Sequence, residues 1–172
     1  WEPYGSAMLV KPRAALDTLG NIVDWRMDVW SYPHSTRPAG KDGVNLLAAW
    51  HLAQSKPTAT PVDPPLPGGG SHRNAIPLYE FANQRVTNHV VTHSPLRVSA
   101  LRGLGAHANV FAIESFMDEL AFAAGADAVE FRLRHLKDAR ARAVSETVAQ
   151  KSGWKAGALA NGARGRGIGF AR

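Results

Sequence analysis

Arg102-Gly103-Leu104-Gly105 is the group of residues best suited to chemistry in this chain. An arginine offers a planar, permanently charged donor array matched to oxygen-rich partners. The glycines on either side of Leu104 permit backbone paths closed to other residues. Residues Val98 to Leu101 ahead of them read as short extended chain. Behind them Val110, Phe111, Ile113, Phe116, Met117, Leu120 and Ala124 recur at helical spacing. A strand, a glycine turn and a helix N-terminus form a concavity where N–H groups and the helix dipole favour negative charge. The expected ligand is anionic or oxo-bearing.

Other candidates carry weaker signals. His34, Ser35, Thr36 and Arg37 form a polar knot between two prolines, where turn hydrogen bonding is the ordinary role. His89 and His93 fall on one side of a strand, with no third residue at metal-ligand spacing. Glu114, Asp118 and Glu119 read as a solvated helix face or as partners for the next helix, not as an acid–base couple. Val129, Phe131, Leu133 and Leu136 read as packing residues, and Trp25 and Trp30 as core anchors.

The elements that must hold the turn follow from periodicity and punctuation. Ala7 to Leu16 and Ile22 to Ser31 alternate as strands around the turn Asp17 to Asn21, a β-hairpin whose Pro12 suits an edge. Val44 to Ala53 suits a short helix. Residues 54–71, with five prolines before Gly68 to Gly70, read as a surface loop. Arg85 to Thr92 is a further strand, and Arg97 to Leu101 the extended approach to the turn. Helices are expected at Asn109 to Ala124, Ala128 to Leu136 and Ala139 to Ser152. Asp127 and Asp138 stand at N-caps, and Gly125 and Gly153 at C-terminal positions. Residues 155–172 read as a flexible tail or a truncated strand. The fold class is α+β: an N-terminal hairpin and further strands form a small sheet packed against C-terminal helices.

At 172 residues the chain has the length of one domain, with no run near a membrane span. It opens without methionine or a targeting pattern, as an excised internal segment or a truncated reading frame would. The absence of cysteine excludes disulfides, thiolate metal sites and iron–sulfur ligation within these residues. A net charge of +6 raises a nucleic-acid reading. Its basic residues concentrate late, from Arg132 to Arg172, without interleaved aromatics, which fits solvated helix faces and a tail better.

ALRGLG, the helix NVFAIESFMDELAFAAG and the clause ADAVEFRLRHL together resemble the molybdopterin-binding large subunit of the xanthine dehydrogenase and aldehyde oxidase family, in its bacterial nicotinate and isoquinoline oxidoreductase branch. DVWSYPHSTRP, GGGSHRNAIPLYEF and ARAVSETVAQKSGW resemble stretches in the same order, so the likeness spans nearly all of residues 1–172. The resemblance implies a piece of the molybdenum-cofactor-binding region of a longer oxidoreductase. That enzyme would oxidise N-heteroaromatics or aldehydes with water-derived oxygen. It implies Arg102, Gly103 and Gly105 against the molybdopterin-type molybdenum cofactor and Leu104 on the substrate pocket, where many relatives place an aromatic ring. Ala106, His107 and Ala108 depart from the family's glycine, proline and glutamine. The implied partners are the other domains of the large subunit, an iron–sulfur small subunit, and a flavin subunit or a cytochrome, with no nucleic acid. Relatives occur in the bacterial cytoplasm and as exported proteins. The family's catalytic glutamate and its glutamine- and glycine-bearing cofactor loop have no counterpart in these residues, so the segment alone should be inactive and hold no direct metal ligand. The alternative is a stand-alone α+β module that binds an anion or a partner without catalysis.

Overall fold

The computed structural model describes residues 4–34, 52–54, 61–96, 98–156 and 165–171. Strands β1 (Met8–Leu16) and β2 (Ile22–Ser31) form the expected antiparallel hairpin, in register from Met8 opposite Ser31 to Ala15 opposite Asp24. Asp17 closes it: its Oδ1 accepts the N–H groups of Leu19 and Asn21 at 2.9 and 2.8 Å, and Gly20 takes a φ of +78°. The bond from the Asn21 backbone, outweighing partial desolvation, holds the Asp17 carboxyl below its ordinary range. Pro12 lies on β1, an outer strand of the order β1-β2-β3, where a missing N–H leaves no ladder bond unmade.

Strand β3 (Gln84–Val90) ends two residues short of the expected Thr92 and pairs with β2 in parallel, from Trp25 opposite Gln84 to Ser31 opposite Val90. Parallel neighbours require a long crossover, and the chain between Ser31 and Gln84 supplies it. The helix expected over Val44 to Ala53 lies outside the described residues except for its last two, which form a bend.

One face of the sheet builds the core. Trp25, Met27 and Val29 alternate inward on β2 and are no more than 1% exposed. They meet helix α1 (Ala106–Ala123) through Ile113, Met117, Leu120 and Ala121, and helix α2 (Ala128–His135) through Phe131. Trp25 stacks on Phe81 at 5.0 Å between ring centroids. Trp30 points to the other face, where it stacks on His89 at 4.5 Å, so only the first of the two expected anchors is a core residue. On α1 the expected apolar face holds except at Phe111, which is 71% exposed.

Helix boundaries follow their caps. Asp127 accepts the N–H groups of Val129 and Glu130, and Asp138 that of Ala141, opening α2 and helix α3 (Ala139–Lys151) where expected. Gly125 and Gly153 take φ values of +63° and +61° at the helix ends. Helix α1 begins at Ala106, three residues before the expected Asn109, because Gly105 already takes right-handed helical angles. Gly105 has φ −64° and ψ −21°, and Ala106 donates to the Gly103 carbonyl at 3.0 Å.

Candidate functional site

The Arg102 turn is held from beneath by the loop at Gly70 to Arg73. The Gly105 N–H donates to the Gly70 carbonyl at 3.1 Å. Asn109, fully buried on the first turns of α1, donates its Nδ2 to the carbonyls of Ser71 and Arg73 at 2.8 and 2.9 Å. That loop is fixed in turn by a buried polar knot. The Ser71 hydroxyl binds the Asp63 carboxylate, and Asn88 on β3 donates to the same carboxylate at 3.1 Å. The sheet therefore positions the turn through the loop.

The glycines do different jobs. A Cβ on Gly105 would lie 2.1 Å from the Ser71 carbonyl oxygen and 2.6 Å from that of Gly70, so only glycine permits this packing. A Cβ on Gly103 would meet His107 only at ordinary contact distance, 3.8 Å or more, but its φ is +92°, and Leu104 itself takes a φ of +52°, a left-handed conformation that strains a residue with a side chain.

Arg102 is exposed on the rim of an open cleft of about 630 Å³ beside α1, and among the described residues it makes no hydrogen bond or ion pair. Arg73 lines the same cleft, also without an ion pair among the described residues, as do Gly103 and His107. Val110, Phe111 and Ile168 supply apolar wall. Leu104 is half-buried and does not line it. The arrangement offers two guanidinium groups and a helix start to one volume, a donor set for phosphate, carboxylate or oxo groups. Sequence reasoning misses Arg73 because nothing local marks it; the Asn109 stitch, linking residues far apart in the chain, brings it beside Arg102.

The far side of the cleft is carried by a buried ionic network. Arg132 on α2 is 2% exposed and donates to Glu114 Oε2 at 2.9 Å, Asp118 Oδ1 at 2.6 Å and the Ile168 carbonyl at 3.0 Å. Burial works against its charge, but Glu114 beside it more than offsets this and raises its pKa. Tyr79 also donates to Glu114 Oε1, at 2.9 Å, and its phenol is pushed well up by burial and by that carboxylate. The expectation of helix-pair partners thus holds for Glu114 and Asp118, while a solvated face is wrong for Glu114, which is buried. Arg132 likewise departs from the solvated basic face expected for the late cations.

His89 and His93 do not converge on a metal. His89 shares Asp28 with Arg13 on the open face of the sheet, His93 is exposed past the end of β3, and no metal-holding group of three appears among the described residues. His34 is buried near the Ser31 hydroxyl at 3.4 Å, and burial lowers its pKa; Ser35 to Arg37 lie outside the described residues.

Residues 39–136 match the family model described as a molybdopterin cofactor-binding domain, more than half of the chain. The chain belongs to that family. Over its whole length it is 36% identical to a nicotinate dehydrogenase subunit from Pseudomonas putida, of which it covers 14%. Half of it is 36% identical to the beta subunit of isoquinoline 1-oxidoreductase from Brevundimonas diminuta, of which the match covers 11%. The chain thus spans only a small part of the length of these relatives. The matched region contains the turn, the stitching loop and the Glu114–Arg132 network, and the donor chemistry of the cleft fits an oxygen-rich, phosphate-bearing cofactor.

Proposed function

We propose that this chain is the cofactor-contacting segment of the large subunit of a molybdenum hydroxylase, with Arg102, Gly103 and Gly105 set against the cofactor and Leu104 beside the substrate space. The observation that carries this reading is the Arg102 guanidinium at the lip of the cleft, unpaired among the described residues and reinforced by Arg73 on the same volume. When bound, the molybdenum centre supplies oxidation of an electron-poor carbon with oxygen from water. The residues here bind and orient: the two arginines hold oxygen-rich groups, and Val110, Phe111 and Ile168 offer an apolar wall. Arg132 engages both Glu114 and Asp118 on the far side of the cleft. On this reading the base belongs to another part of the subunit, and the segment by itself is inactive. Both relatives are named for N-heteroaromatic compounds, which favours that substrate class over aldehydes. Their designations as subunits support assembly with further subunits; on this reading these are an iron–sulfur subunit and a flavin subunit or a cytochrome.

An outward apolar face on α1 favours a larger subunit over a free-standing module. Phe111 and Phe122, eleven residues and so about three turns apart, are 71% and 87% exposed. The test has two parts. The chain purified from a host that makes the cofactor should carry no stoichiometric molybdenum by elemental analysis. In the subunit that carries this segment, Arg102→Ala should lower molybdenum retention and turnover together. Tight stoichiometric molybdenum on the chain, or an unaffected Arg102→Ala enzyme, would overturn the reading.

A further inference from the structure

The side of the sheet turned away from the helices presents an unusual charge pattern. The register places Arg13 on β1 directly opposite Arg26 on β2, and Arg26 directly opposite Arg85 on β3. Three arginines thus stand in one row across all three strands, and like charges directly opposite each other destabilise a sheet. Two of them are neutralised within the face: Arg13 binds Asp28 at 2.7 Å and Arg26 binds Asp24 at 2.9 Å. Asp28 is also engaged by His89 at 2.9 Å, and among the described residues it makes no bond to the third. Arg85 has no acidic partner among the described residues and lines a groove of about 220 Å³ with Arg13, Arg26, Asp28 and Thr87. Lys11, further along β1, leans over Trp30 at 5.4 Å. Arginines and lysine on this face thus outnumber the aspartates that face them.

A solvated sheet face needs polar residues; it does not need a repulsive row with one member uncompensated. We infer that this face is a docking surface for an acidic protein segment, whose carboxylates complete the row at Arg85. Nucleic acid suits it less well. Trp30, the aromatic ring of this face, is already stacked on His89, which removes a platform for bases. Charge complementarity of this kind sets orientation and association rate between polypeptides. The face is remote from the Arg102 cleft in its residues and independent of the cofactor reading.

The test uses the 172-residue chain with a fluorescein-labelled octa-glutamate peptide and, separately, a labelled octathymidylate, each followed by anisotropy at low salt. The peptide should bind and be released by salt. Arg85→Ala should weaken it about fivefold, the scale of one exposed charge pair, with a melting temperature unchanged or raised as the repulsion is relieved. Equal peptide binding by Arg85→Ala, tighter binding of the oligonucleotide, or no peptide binding by the parent chain would each overturn the proposal. A lowered melting temperature in Arg85→Ala would do so too, by making that arginine a structural residue. Arg85→Lys should retain most of the binding.

Discussion

Arg132 and Glu114 meet at 2.9 Å with both side chains out of water, tying α2 to the middle of α1. The same guanidinium holds the Ile168 carbonyl, so one residue joins two helices and the segment that walls the cleft.

Arg132→Leu should therefore destabilise the chain by about 3–5 kcal/mol, because it strands a buried carboxylate and leaves Tyr79 and Glu114 facing each other alone. Chemical denaturation would measure this. Arg132→Leu combined with Glu114→Leu should recover part of the loss, since the stranded charge is gone.

Gly105→Ala and Gly103→Ala should separate the two glycines. At Gly105 the new Cβ meets backbone carbonyls at 2.1 and 2.6 Å, which no rotamer can relieve. That substitution should lower the thermal midpoint sharply or prevent folding. At Gly103 a Cβ meets only ordinary contacts and the φ of +92° alone opposes alanine, a milder loss of about 1–3 kcal/mol.

His135 makes stability depend on pH. It is buried, its Nε2 accepts the Ile22 N–H at 3.4 Å, and burial, then Arg134, lowers its pKa. The unfolded chain therefore binds a proton at higher pH than the folded chain does. The His135 contribution is complete above an unfolded pKa of about 6.5 and is lost as pH falls through that value toward the folded one. Denaturation midpoints measured from pH 8 down to 5 should fall, and His135→Gln should flatten this part of the profile.

Asp127 serves two elements at once. Its Oδ1 caps α2, and its Oδ2 accepts the Trp154 indole N–H at 2.9 Å from beyond α3. Asp127→Ala should cost about 1–2 kcal/mol for the cap, and should also shift Trp154 fluorescence toward that of a solvated indole. Asp138→Ala, a cap without the tryptophan, should show the stability loss and no spectral change.

Local chemistry is legible wherever one short stretch settles it. The hairpin around Asp17 to Asn21, both aspartate N-caps and both C-terminal glycines stand as read. The turn at Arg102 is legible as a break, since two glycines in four residues admit little else. The start of α1 reads three residues late, because glycines signal a break while Gly105 adopts helical angles under the Gly70 contact.

The sequence by itself determined the hairpin, the three C-terminal helices, the family and the arginine turn, because hydrophobic period, capping and motif are properties of neighbouring residues. Only the tertiary structure decided that β3 joins β2 in parallel, that Arg73 stands with Arg102 on one cleft, and that Arg132 is buried against Glu114. Each of these depends on contacts between distant parts of the chain. Whether an arginine is solvated, paired or aligned with two others is fixed by what packs opposite it, and a linear pattern carries no record of that.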